Sequence, residues 1–144
     1  MASFFYDEAR QIFGGEPTHS QPNFETGVFG MFFVDEGADT ISQSADVDAA
    51  DRTAGAQVPS FATAPNIANP TWTVTSNIGI FDGDDLTFTA LSGAQSESVD
   101  LFLDTGTDTT SPMIANFDDY TGLPLTPSGS DVVIVFHANG IFRV

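Results

Sequence analysis

From Gln57 to Val144 the chain is cut into short extended segments separated by Gly, Pro, Asn, Asp and Ser, and that punctuation favours an antiparallel β architecture. The segments run over residues 57–63, 71–76, 78–81, 86–91, 98–104, 113–117, 132–136 and 141–144. Two alternate clearly. Leu86, Phe88 and Ala90 oppose Thr87 and Thr89, and Val99, Leu101 and Leu103 oppose Asp100, Phe102 and Asp104, so each reads as a half-buried strand. Val132-Val133-Ile134-Val135-Phe136 lacks alternation and is expected to be a central strand, with Ala138-Asn139-Gly140 turning into the last one. That last strand, Ile141-Phe142-Arg143-Val144, is expected to dock beside 132–136, with Phe142 and Val144 buried and Arg143 among carboxylates.

Upstream of this region the pattern changes. Residues 3–13 form the one convincing helix: Ser3 can cap it, Asp7 and Glu8 lie early, Phe5, Ala9, Ile12 and Phe13 share a face, and Gly14-Gly15 stops it. Gly15 to Asn23 reads as loop. Val28 to Val34 is apolar enough to be covered on both faces or to contact a neighbour. Residues 35–56 carry six Asp or Glu with no clean period and read as an exposed, loop-rich acidic excursion. One domain spanning 1–144 is expected, mainly β, an antiparallel sandwich or barrel with one short N-terminal helix.

Charge narrows the function. Fifteen Asp and five Glu stand against three Arg (Arg10, Arg52, Arg143) and no Lys, a formal charge of −17. Such a chain repels itself in dilute buffer, whereas at molar ionic strength the Debye length falls to about 3 Å and the carboxylates keep the surface hydrated. The composition therefore reads as that of a halophilic protein. Three scattered Arg cannot make a phosphate footprint, so nucleic acid is excluded as a partner, and an anionic membrane surface is excluded with it. No apolar run approaches the ~20 residues of a membrane span, and the N-terminus lacks the basic and apolar regions of a signal peptide, so cytoplasmic synthesis is expected. Without Cys there is no disulfide or thiolate site.

Few residues suggest chemistry. Asp82, Asp84 and Asp85 are a weak candidate for a hard-cation site because Ca²⁺ takes oxygen ligands from alternate loop positions, yet the spacing lacks the EF-hand pattern and an acidic turn suffices. Asp118-Asp119 and Asp46-Val47-Asp48 are weaker still. His19 and His137 are too isolated for a zinc site, and Ser92-Gly93 lacks the nucleophile elbow. No catalytic residue and no cofactor is expected. Fourteen Phe exceed what one core of this size needs, so some are expected to face a partner: Phe102, on the polar side of its strand, and Phe29 or Phe33 on the apolar one.

Several pieces occur in a telling order: Ile80-Phe81-Asp82-Gly83-Asp84-Asp85-Leu86-Thr87-Phe88-Thr89-Ala90-Leu91-Ser92-Gly93, Asp104-Thr105-Gly106-Thr107, Ser111-Pro112-Met113-Ile114-Ala115, Thr121-Gly122-Leu123-Pro124-Leu125-Thr126-Pro127 and Ile141-Phe142-Arg143-Val144. In order and spacing this series resembles a family of small tailed-phage virion proteins carrying "TFTAVSG", "DTG", "SPLIAY", "TGLPVTPNGG" and a terminal "IFKL". Members also open with a short helix ending in Gly-Gly, as Ala9 to Gly15 do, while residues 16–77 match loosely. The resemblance implies a non-enzymatic virion protein that decorates or cements the capsid shell of a virus of a halophilic host. Its partners would be the major capsid protein or other virion proteins and further copies of itself. A tail, neck or fibre component, or a cell-surface adhesion domain of a halophile, is the alternative.

Overall fold

A computed structural model describes residues 2–14 and 23–144; His19, the loop expected after Gly15 and the side chain of Ile12 lie outside the described residues. Among the described residues ten strands occur: β1 (Phe4–Phe5), β2 (Phe29–Val34), β3 (Gln57–Val58), β4 (Thr71–Thr75), β5 (Ile78–Asp82), β6 (Leu86–Phe88), β7 (Ser98–Leu103), β8 (Met113–Phe117), β9 (Val132–Ile134) and β10 (Phe142–Arg143). One α-helix, α1 (Asp7–Gly14), follows β1. Every ladder between these strands is antiparallel. They form a five-stranded sheet ordered β1-β8-β7-β2-β3, a three-stranded sheet β10-β5-β4 and a pair β6-β9, with no closed barrel.

The five-stranded sheet is buried on both faces, as the composition of β2 implies. Phe29, Met31 and Phe33 point one way with Val99, Leu101 and Leu103, against Phe81, Leu86, Phe88, Ile134 and Phe142 from the two smaller sheets. Phe32 and Val34 point the other way with Phe102 and Met113, into a second core closed by Tyr6, Ile41, Ala49 and Ala56. Between Leu101 and Phe102 the register shifts, because Leu101 faces Ala115 while Phe102 faces Met113. Ile114 is the extra residue, and this bulge keeps both faces of β8 in phase with their cores.

The structure corrects several expectations. The excursion holds only short structure, two 3₁₀ turns at Ala49–Asp51 and Ala54–Ala56, but it is not simply exposed: Ile41, Asp46, Ala49, Arg52 and Ala56 are buried. It is the lid on the second core. The helix begins at Asp7, since Phe4 and Phe5 pair with Asn116 and Ala115, and Ser3 Oγ accepts the Asp118 N–H at 3.1 Å instead of capping a helix. The apolar run 132–136 is not a central strand: β9 pairs with β6, and Val133 and Val135 are 50% and 59% exposed. Its β-branched residues suit any extended strand, so the run reported conformation and not position. The last strand docks on β5, not on β9, through Phe142 opposite Phe81. Phe142 is buried there, Val144 is exposed, and Arg143 Nε donates to the Asn139 carbonyl at 3.0 Å.

Candidate functional site

The principal polar cluster lies under the lid. Alternation along β7 turns Ser98, Asp100 and Phe102 to the second core, and covering that face leaves Asp100 fully buried. A carboxylate there needs a cation and donors, since an isolated buried charge is strongly disfavoured. Arg52 supplies the cation from the turn after Ala49–Asp51: its Nε donates to Asp100 Oδ2 at 3.0 Å. Its Nη2 donates to Asp46 Oδ2 and to the Tyr6 hydroxyl, both at 2.9 Å, and Nη1 reaches Asp39 at 3.5 Å. Tyr6 in turn donates to Asp100 Oδ1 at 2.7 Å, and Asn116 Nδ2 donates to the same oxygen at 2.9 Å. One guanidinium thus fastens the lid to β7 through Asp100 and to Tyr6, the residue after β1, while Asn116 of β8 holds the same carboxylate.

Its electrostatics suit fastening. Burial, and then the Asp100 charge, push the Tyr6 phenol far above its ordinary value, so it remains a neutral donor. Burial opposes the Arg52 charge, but Asp100 and Asp46 together hold the guanidinium even more firmly protonated than usual. For Asp100 burial prevails and raises the carboxyl, against the pull of Arg52, Tyr6 and Asn116. At Asp39 burial acts upward too, yet the N–H groups of Thr53 and Thr40 and the Arg52 charge win and lower it. Arg52 and Asp100 are both wholly enclosed, which leaves no open position for a substrate between them.

The residues singled out from the sequence lie elsewhere or play other parts. Phe29, Phe33 and Phe102 are buried, not presented to a partner. Phe29 stacks with Phe24 and meets Phe81 at a tilt, Phe33 meets Phe88, and Phe102 meets Phe32 and Phe61. The polar side of β7 misled because its two Asp neighbours suggested solvent, whereas Arg52 neutralises one of them inside. Asp82, Asp84 and Asp85 do not converge: Asp84 accepts from Asn69 Nδ2 at 2.7 Å and Asp85 from the Phe136 N–H at 2.9 Å. Among the described residues no group of three or more His, Asp or Glu is arranged to hold a metal ion. Asp46 belongs to the Arg52 cluster, Asp48 accepts from the Ala50 N–H, and Asp119 accepts from Ser3 Oγ.

One apolar cavity of about 150 Å³ opens where β6-β9 and β10-β5-β4 fail to join. Met31, Val99 and Phe117 belong to the large sheet on one side of it, and Ile134, Phe136 and Ile141 lie on the other. Nearby polar atoms are already engaged: Tyr120 bonds the backbone of Val135 through both its donor and acceptor, and His137 Nδ1 accepts from the Asn139 N–H. The space suits one small apolar group.

The Arg52 cluster was missed by sequence reading, although two signals bore on it: an Arg inside the acidic stretch 35–56, and an Asp inside an otherwise apolar strand. No helix among the described residues is long and apolar enough to cross a membrane. The chain matches no protein-family model and no curated protein.

Proposed function

We propose that this chain is a non-enzymatic structural protein of a tailed virus with a halophilic host, binding the capsid exterior as an oligomer. The observation that carries the reading is the ordered motif series from Ile80 to Val144. Those segments form framework: Asp82 to Asp85 links β5 to β6, Asp104-Thr105-Gly106 follows β7, Ser111 to Ala115 leads into β8, and 141–144 includes β10. Supporting it, the Arg52 cluster is closed to substrates and serves to hold layers together. A rigid, acid-coated body with turns fixed by Gly and Pro is what a shell-bound protein without disulfides requires.

Particles purified on a density gradient at high salt test this. The chain should be present in stoichiometric ratio to the shell protein, with density for it on the outer surface of the capsid in a particle reconstruction. Its absence from intact particles would overturn the reading.

A further inference from the structure

We propose that β4 is a self-association edge, through which two copies of this chain pair antiparallel at Trp72, Thr73 and Val74 to make one six-stranded sheet. The outward direction of the backbone is fixed by neighbouring bonds. Gly79 and Val144 exchange N–H to carbonyl bonds at 2.8 and 3.0 Å, and the Phe81 carbonyl accepts from Ile141 at 2.8 Å, so both Gly79 and Phe81 turn their main chain toward β10 and away from β4. Their partners across the ladder are Val74 and Trp72. These are consequently the widely spaced pairs, in which the β4 residue directs its N–H and carbonyl to the open side. Among the described residues no strand pairs with that side.

Among the described residues nothing blunts this edge. Thr71 to Thr75 contain no charge and no Pro, their register to β5 has no bulge, and Val74 is 68% exposed. Natural edge strands usually carry at least one such protection. The outer side of the β9 end is different, since Tyr120 bonds both backbone groups of Val135.

Charge selects the occupant. Residues 53–81 contain no charged side chain, in a protein of twenty acids and a net −17. A basic partner would be drawn to the acidic surface, whereas a partner of equal negative charge can approach closely only over an uncharged strip. A second copy is such a partner. With the two-fold axis at Thr73, Trp72 of each copy faces Val74 of the other and exchanges both main-chain bonds, and the two Thr73 side chains meet as a cross-strand pair. This rests only on the oligomer element of the proposed function, and the particle experiment decides the virion assignment separately.

Sedimentation velocity at molar KCl, over a range of protein concentrations, is the test. The wild-type chain should reach twice its 15.2 kDa mass, more readily as salt rises. Val74→Pro removes an outward N–H without touching the β4-β5 ladder, and Thr73→Asp sets two like charges on the axis. Each should raise the dissociation constant about a hundredfold or more while keeping the wild-type circular dichroism and melting temperature. A wild type that stays monomeric at millimolar concentration, or folded variants that associate as tightly as wild type, would overturn the proposal.

Discussion

Arg52 and Asp100, forty-eight residues apart, meet at 3.0 Å with neither side chain exposed. The pair explains how an acid-rich segment can cover an apolar sheet face. Two Asp from the lid, Asp39 and Asp46, and one from β7 surround a single cation, so charge that would otherwise expel the lid becomes its attachment. Burying ions is costly in itself, and replacing a whole buried cluster by apolar residues is often neutral or stabilising. What the pair contributes is position: Arg52 finds its full set of partners only when the lid lies over Tyr6 and Asp100.

Removing one partner should therefore harm more than removing two. Arg52→Leu leaves Asp100 and Asp46 buried without their cation and should cost about 3–5 kcal/mol. Adding Asp100→Leu should return a large part of that loss, which makes the double variant more stable than the sum of the single effects. Denaturant midpoints of the four proteins at fixed high salt measure it. Additive losses would show that the two residues are not coupled.

Asp39 gives a pH dependence of definite sign. Its carboxyl is lowered in the folded chain, so its contribution is complete above the unfolded value of about 3.9 and disappears as pH falls through the depressed folded value. Asp39→Asn should then be less stable than wild type at pH 7, with the gap closing as pH drops below about 4. Comparing the two proteins cancels the acid titration common to both. A gap that widens in acid would reverse the sign and remove Asp39 from the attachment.

What could be read in advance was local. Leu86 and Phe88 inward with Thr87 outward, and the continuous burial of β2, follow from side-chain period and composition alone. What could not be read was the number of layers. Alternation on β7 correctly separated Asp100 and Phe102 from Leu101, but whether their face meets solvent depends on residues 35–64 folding back over it, and no pattern in β7 encodes that. The same gap misplaced Phe102 as an outward anchor, whereas β9 was misplaced because β-branched residues suit any extended strand. The Asp-rich text hid the two buried Asp, Asp46 and Asp100, among many exposed ones, and only the cation they share, Arg52, distinguishes them.

Salt should act on the fold as a whole. At 0.1 M the Debye length is about 10 Å and carboxylates on neighbouring turns repel; at 1 M it is about 3 Å and they do not. With a charge of −17, the melting temperature should rise steeply from dilute to molar KCl, while the enclosed Arg52–Asp100 pair, reached little by salt, contributes a nearly constant amount. Thermal circular dichroism across a salt series measures this. A melting temperature that does not change with salt would refute the halophilic reading.

Trp72 offers an optical view of the small sheet because it is the single Trp of the chain. It lies on the same face as Phe81 and Phe142, and its indole covers Gly79 on the adjacent strand, where an added Cβ would collide with the ring. Gly79 is therefore required by close approach and not by its backbone angles. Gly79→Ala should push the indole outward from the cluster it shares with Phe24 and Phe142, shifting its emission to the red and costing about 1–3 kcal/mol as an overpacked site does. Ile80, whose neighbouring Thr73 is exposed, gives the comparison: Ile80→Val should leave the emission in place. If Gly79→Ala keeps both the wild-type emission and stability, the ring does not rest on Gly79, and the packing assigned here to β4 and β5 is incorrect.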